Sequence, residues 1–259
     1  MKVYWLDLGC LEGDKNYMYS GATRGTVDNK NAPTVWCRIP IESAYIDHPK
    51  GKILIDAGVN KGLCSSKNNP YVYNEKQTLE YQLSLCGVTP LDIDYVIVTH
   101  MHVDHIGELS KFKNAKVIVQ RSELMLALFA SHSTLDPSQR LSYIREDVDV
   151  EADFMVIDGD YQLFDDIRLL HLPGHTDGLQ GLMLSLKDGN VIFTSDAINT
   201  SQAFGPPSMP PAKAPWDSRA WRDSVERVRR LALENKASII FGHDEEQYFT
   251  MRKAPEYYE

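Results

Sequence analysis

No stretch of this sequence approaches the roughly 18 consecutive apolar residues that a membrane-spanning helix needs. The opening segment, MKVYWLDLGCLEGDK, does not read as a secretory leader either. Asp7 breaks its apolar run short of the roughly 7–15 residues such a leader requires. Cysteine is scarce, four in 259 residues, and Cys10, Cys37, Cys64 and Cys86 are far apart and form no Cys-x-x-Cys pair. They read as reduced, partly buried thiols rather than a disulfide framework, which fits a cytoplasmic protein. Positive charge is in deficit: 27 Lys and Arg against 36 Asp and Glu leave a net charge of −9. Nucleic-acid binders carry a basic patch or stripe, so this balance argues against a phosphate backbone as partner. No low-complexity linker divides the chain, and residues 1–259 are expected to form one domain, cytoplasmic, with neither membrane nor nucleic acid as a partner.

What is present is core material and alternating secondary structure. At 43% hydrophobic and 24% charged, the composition is that of a globular protein. KVYWLDL, KILIDAG, IDYVIVTH and AKVIVQ read as strands, the last two as short β-branched runs of the buried kind. EKQTLEYQLSLCG aligns Leu79, Leu83 and Cys86 on one helical stripe and stops at Gly87. RSELMLALFA reads as a helix capped by Ser122, and DSRAWRDSVERVRRLALENK as a long amphipathic helix capped by Asp217. IRLLHLPGH, GLMLSLKDGNVIFTSD and ASIIFGH supply later strands, with a hairpin turn at Asp188-Gly189. Between Ile198 and Trp216 lie five prolines and little periodicity, the mark of a long loop that is either functional or disordered.

Chemistry concentrates at strand ends. VIVTHMHVDHIGEL places three of the chain's eight histidines and an aspartate within six positions. His100 and His102 fall where the strand ends, and Asp104 and His105 at the start of what reads as a helix. Imidazole and carboxylate are the ligands of zinc and related divalent ions. Three further polar residues directly follow apolar runs: His175 after LLHLPG, Asp196 after VIFTS and His243 after SIIFG. Seven donors exceed one tetrahedral ion and suit a pair of ions sharing a carboxylate.

This pattern resembles the metallo-β-lactamase fold superfamily, and within it the N-acyl-homoserine lactonase branch. The signature stands here as His100-x-His102-x-Asp104-His105, then His175, Asp196 and His243. The branch resemblance also rests on TVWCRIPIE followed by GKILIDAG, on VIVQRSELMLAL, on PGHTDGLQGLML, and on IIFGHDEEQ through the terminal APEYYE. The resemblance implies an α/β fold, an αβ/βα four-layer sandwich of two mixed β-sheets flanked by helices, with the metals at one rim. It implies two divalent ions per chain, zinc in this reading. His100, His102 and His175 bind the first, Asp104, His105 and His243 the second, and Asp196 bridges them. It implies a lactone-opening hydrolase that acts on an N-acyl-homoserine lactone or related cyclic ester, a quorum-quenching activity, in a monomer or homodimer. In this reading the nucleophile is a hydroxide between the metals, and Asp104 or a metal-bound water passes a proton to the leaving alkoxide.

One position departs from the branch. Lactonases usually carry a tyrosine three residues after the bridging aspartate, and Asn199 stands there. Either its amide keeps part of the role at the substrate oxygen, or another group serves, or the substrate differs. Rival readings are hydrolysis of another ester, of a glyoxalase-II-type thioester or of a cyclic amide, a mononuclear iron persulfide dioxygenase, and a metal-stabilised binding module. Of the remaining histidines, His171 reads as a buried strand residue, His48 as a turn residue, and His132 as part of a loop. The aromatic segments NYMYSG and NPYVYNE read as loop packing or as the roof of an apolar pocket.

Overall fold

The computed structural model describes residues 1–17, 25–64, 70–133, 142–205, 208 and 217–259. One sheet runs in the order β4-β1-β2-β3-β5-β6-β7. Its strands are β1 (Lys2–Asp14), β2 (Trp36–His48), β3 (Gly51–Ile55), β4 (Tyr71–Val72), β5 (Tyr95–Ile97), β6 (Lys116–Gln120) and β7 (Asp153–Ile157). The second sheet runs β12-β11-β10-β9-β8, from β8 (Tyr161–Phe164), β9 (Ile167–His171), β10 (Gln180–Leu186), β11 (Gly189–Phe193) and β12 (Ser238–Ile240). Both are mixed: β3, β5, β6 and β7 pair in parallel, as do β11 and β12, and the other pairs are antiparallel.

The two-residue period of a strand divides the apolar side chains between two layers. On β5, Ile97 turns inward and joins Trp5, Ile46, Ile53, Ile55 and Ile118 against Leu169, Leu182, Leu184 and Phe193 of the other sheet. Its neighbours Val96 and Val98 turn outward to a second cluster with Leu79, Leu83, Ala127 and Ala130. Leu170, Leu172 and Ile192, on the outer face of the second sheet, meet Trp221, Val225 and Val228. The result is a helix–sheet–sheet–helix sandwich, as the resemblance implied.

The helices are α1 (Lys61–Cys64), α2 (Leu79–Leu85), α3 (Val103–Ile106), α4 (Arg121–His132), α5 (Arg145–Val148), α6 (Ser201–Phe204), α7 (Ser218–Asn235) and α8 (Glu245–Thr250). In α7 the Asp217 carboxylate accepts the backbone N–H groups of Arg219 and Ala220, as expected of a cap. Four expectations need correction. The helix expected from Glu75 is broken at Thr78, whose extended backbone separates a 3-10 turn from α2 and whose hydroxyl caps Tyr81 N–H. Gln120, not Ser122, is the N-cap of α4, because β6 runs straight into the helix, and the Ser122 hydroxyl instead donates to Asp177 O. His48 is not a turn residue: it ends β2, buried, stacked on Phe164 of the second sheet at 4.5 Å with Asp166 3.1 Å from Nε2. The loop after Ile198 begins with the single turn α6, and its residues 206–207 and 209–216 lie outside the described set.

The hairpin joins β10 to β11 with Leu186 opposite Gly189, so Lys187 and Asp188 form the turn itself. Of the aromatic segments, residues 18–24 and 65–69 lie outside the described residues. Tyr71 and Val72 pair with Leu11 and Cys10 as an edge strand, and Tyr73 lines a small pocket with Leu8, Val59 and Leu79. Among the described residues, Cys10, Cys37 and Cys86 are free thiols, and no helix is long and apolar enough to cross a membrane.

Candidate metal centre

Every expected donor sits just past a strand, on one rim of the sandwich. His100 follows β5; His102 is the extended residue at the head of α3, whose single turn carries Asp104 and His105. His175 lies between β9 and β10, Asp196 in a 3-10 turn after β11, and His243 after β12. Backbone bonds stitch these loops together, within each sheet's rim and once across the two. Ala57 N–H donates to His105 O at 2.6 Å, Gln180 N–H to Thr99 O at 2.9 Å, and His243 N–H to Asn199 O at 2.9 Å.

Two sets of donor atoms result. His100 Nε2 and His175 Nε2 lie 3.0 and 3.1 Å from His102 Nδ1. Burial, then the neighbouring imidazoles, hold His100 and His102 well below the ordinary histidine range, and burial lowers His175 too. These rings are therefore neutral, and three ring nitrogens with few protons among them converge on one point. Asp104 lies 3.8 Å from His105 Nε2 and 4.0 Å from His243 Nε2, forming the second set. In each set the donor atoms lie within 4.8 Å of one another.

Asp196 stands between the sets. Its Oδ2 is 3.3 Å from His175 Nε2, and its Oδ1 is 2.9 Å from His243 Nε2 and 3.5 Å from His105 Nε2. Burial opposes ionisation of this carboxyl, but the surrounding histidines win and hold it well below the usual carboxylate range. Conversely, burial would lower His105 and His243, and the carboxylates around them outweigh it. His105 is pushed up to about 9 and His243 to about 10.

The outer partners fix which ring nitrogen faces the centre. A carboxylate or carbonyl oxygen only accepts, so His105 Nδ1 donates to Asp56 at 2.8 Å and His243 Nδ1 to Pro40 O at 2.6 Å. Each Nε2 then points inward. Among the described residues, inward-facing His105 Nε2 is buried with no hydrogen-bond partner, and so are the outer ring nitrogens His102 Nε2 and His175 Nδ1. Buried imidazole nitrogens without partners are costly unless something binds them. Nitrogen and oxygen donors only, in two clusters sharing one carboxylate, fit a pair of divalent cations.

Sequence reading missed Asp56. It ends KILIDAG as Asp196 ends VIFTSDA, an apolar run closing on a carboxylate. It accepts from Thr99 N–H and Thr99 Oγ1, each at 2.7 Å, and Ser195 Oγ donates to Thr99 Oγ1 at 2.9 Å. This buried chain runs from one sheet to the other beneath the donors. Asp56 (φ 56°) and Ser195 (φ 46°) both hold the left-handed conformation, strain of the kind that collects at functional sites. His171 is half-buried at the end of β9 and bonds Asp177 O; His132 is the last residue of α4, not a loop residue as expected, and pairs with Asp149. Neither belongs to the donor sets.

Asn199 is buried, and its Oδ1 is fully enclosed with no hydrogen-bond partner among the described residues.

The comparisons with known proteins agree with this geometry. Residues 39–243 match the metallo-beta-lactamase superfamily. An N-acyl homoserine lactonase of Bacillus thuringiensis is 30% identical, over 99% of this chain and 98% of the relative. The solved structure of a quorum-quenching N-acyl homoserine lactone hydrolase superposes with a TM-score of 0.84 at 28% identity, covering 99% of this chain and 97% of that one. An N-acyl homoserine lactone hydrolase with the product N-hexanoyl-L-homoserine bound at its catalytic metal center gives 0.83 at 26% identity, over 99% and 98% of the two chains. The chain belongs to the metallo-beta-lactamase superfamily, on its N-acyl homoserine lactonase-like branch.

Proposed function

We propose that the protein is a dinuclear metal-dependent lactonase that opens the ring of an N-acyl homoserine lactone, a quorum-quenching activity, in the cytoplasm and as one domain spanning residues 1–259. The carrying observation is the placement of Asp196, one oxygen toward His175 and the other toward His243. His100, His102 and His175 would hold one ion, Asp104, His105 and His243 the other, with Asp196 shared, and zinc suits both sets. When bound, the ions supply the acidity that makes water a nucleophile near neutral pH and the positive charge on which a carbonyl oxygen leans.

The chain's own groups do the rest. Asp56 and Pro40 hold His105 and His243 with Nε2 inward. Asp104 is the donor with the most exposed side chain of its set, 18% against 4–5% for the histidines. It is therefore placed to take a proton and pass it to the ring oxygen as that oxygen leaves. Asn199 would donate from Nδ2 to the substrate carbonyl oxygen, in the place of the branch tyrosine. Water cleaves the ring ester to a hydroxy acid.

The test is a hydrolysis panel on zinc-loaded protein, with N-acyl homoserine lactones, simple lactones, thioesters and β-lactams, alongside metal analysis. The reading expects close to two ions per chain and turnover highest on acylated homoserine lactones, lost with a chelator and restored by zinc. Turnover confined to thioesters, or full activity with one ion per chain, would overturn it.

A further inference from the structure

The first turn of α4 carries a carboxylate that none of the roles above uses. Glu123 is fully buried, and burial raises its pKa, yet every bond it makes reaches toward the same three histidines. Its Oε1 accepts Met101 N–H at 2.8 Å, and Met101 lies between His100 and His102. Its Oε2 accepts the Thr176 hydroxyl at 2.5 Å, and Thr176 directly follows His175. Its Oε1 also accepts the Tyr143 hydroxyl at 2.8 Å, and the Tyr143 ring meets the His102 imidazole edge-on with centroids 4.9 Å apart.

The close approach is built in at the backbone. A Cβ on Gly178 would stand 2.3 Å from Glu123 N and 2.4 Å from its Cβ, so only glycine lets the loop after His175 seat on α4. Among the described residues, no hydrogen bond of Glu123 reaches Asp104, His105 or His243 or their sequence neighbours. The outer supports of His105 and His243 are Asp56 and Pro40.

We infer that Glu123 is a positioning residue for the three-histidine donor set alone, a single carboxylate that holds the loops of His100, His102 and His175 in register. The inference rests on the metal-centre reading. A buried carboxylate is expensive to place, and a helix needing only to pack would carry an apolar residue there. Partners behind metal ligands typically change affinity by about 10–100-fold when removed.

Chelator competition on the zinc-loaded protein resolves two dissociation constants, and His102→Ala and His243→Ala assign each to its donor set. Glu123→Leu is expected to weaken the three-histidine ion by about 10–100-fold and to leave the other within about threefold. Glu123→Gln should recover most of the loss, since its oxygen still accepts from Met101 and Tyr143 while its amide donates to Thr176 Oγ1. Tyr143→Phe and Thr176→Val should each weaken the same ion by less. Equal weakening of both ions, or no change in either, would overturn the inference. Should Glu123→Leu not fold, Thr176→Val decides, and an unchanged three-histidine constant there is equally fatal. A wild-type protein that binds no pair of ions would instead sink the metal-centre reading itself.

Discussion

The Asp56 carboxylate accepts His105 Nδ1–H at 2.8 Å while the same group accepts two bonds from Thr99. This ties the orientation of one imidazole to the end of a strand 49 residues earlier. Asparagine tolerates the left-handed backbone that Asp56 adopts, so Asp56→Asn isolates the hydrogen bonding. It replaces an acceptor with a donor facing other donors. Zinc affinity at the Asp104/His105/His243 set should fall by about 10–100-fold. Zinc titration against a competing chelator reads this directly, and an unchanged constant would remove Asp56 from the centre.

Asp196→Asn keeps an oxygen between the sets but removes the negative charge that both His175 and His243 face. The protein should purify with fewer than two ions and lose turnover by orders of magnitude. Metal analysis and kinetics on one preparation test both halves. Wild-type turnover with a full metal complement would count against a shared carboxylate.

At Asn199 the expectation is kinetic. Removing one donor to a developing oxyanion costs about 2.7–4 kcal/mol in other enzymes, so Asn199→Ala should lower turnover by roughly 10- to 1,000-fold with metal content unchanged. A silent substitution in an active lactonase would falsify the role. Asn199→Tyr, which restores the branch residue, should leave hydrolysis of acylated homoserine lactones equal or higher.

Glu42 gives a pH prediction. It is buried on β2, its Oε2 has no partner among the described residues, and burial pushes its pKa up from 4.5 to about 8. A raised acid favours the protonated form in the fold. Its contribution to stability is complete below about pH 4.5, and it is lost as pH rises toward 8. Glu42→Gln, neutral at every pH, should therefore gain on the wild type as pH increases. A tenfold change in proton affinity on folding is worth about 1.4 kcal/mol, so the gap in Tm should widen by several degrees between pH 5 and pH 9. A constant gap across that range would show that Glu42 does not titrate as its burial implies.

Much of the site was legible because its signals are local. His100, His102, Asp104 and His105 occupy six positions, and each remaining donor directly follows an apolar run, so strand ends could be read as a rim. Asp217 capped α7 as read, since a cap bonds residues two and three positions on. Ser122 misled for the opposite reason. Its hydroxyl finds Asp177, 55 residues away, and a local rule cannot see that partner. His48 likewise looked like a turn residue until the second sheet placed Phe164 over its ring.

The amino-acid sequence by itself determined most of the strands, the long helix and the candidate metal donors, because hydrophobic period, caps and ligand chemistry act within a few residues. Only the tertiary structure decided which donors share a point, which oxygen of Asp196 faces which set, and which ring nitrogens turn inward. Those choices rest on Asp56, Pro40 and Glu123, whose bonded partners lie 20 to 203 residues away. Hydrogen bonds over such separations exist only once two packed sheets bring their rims together.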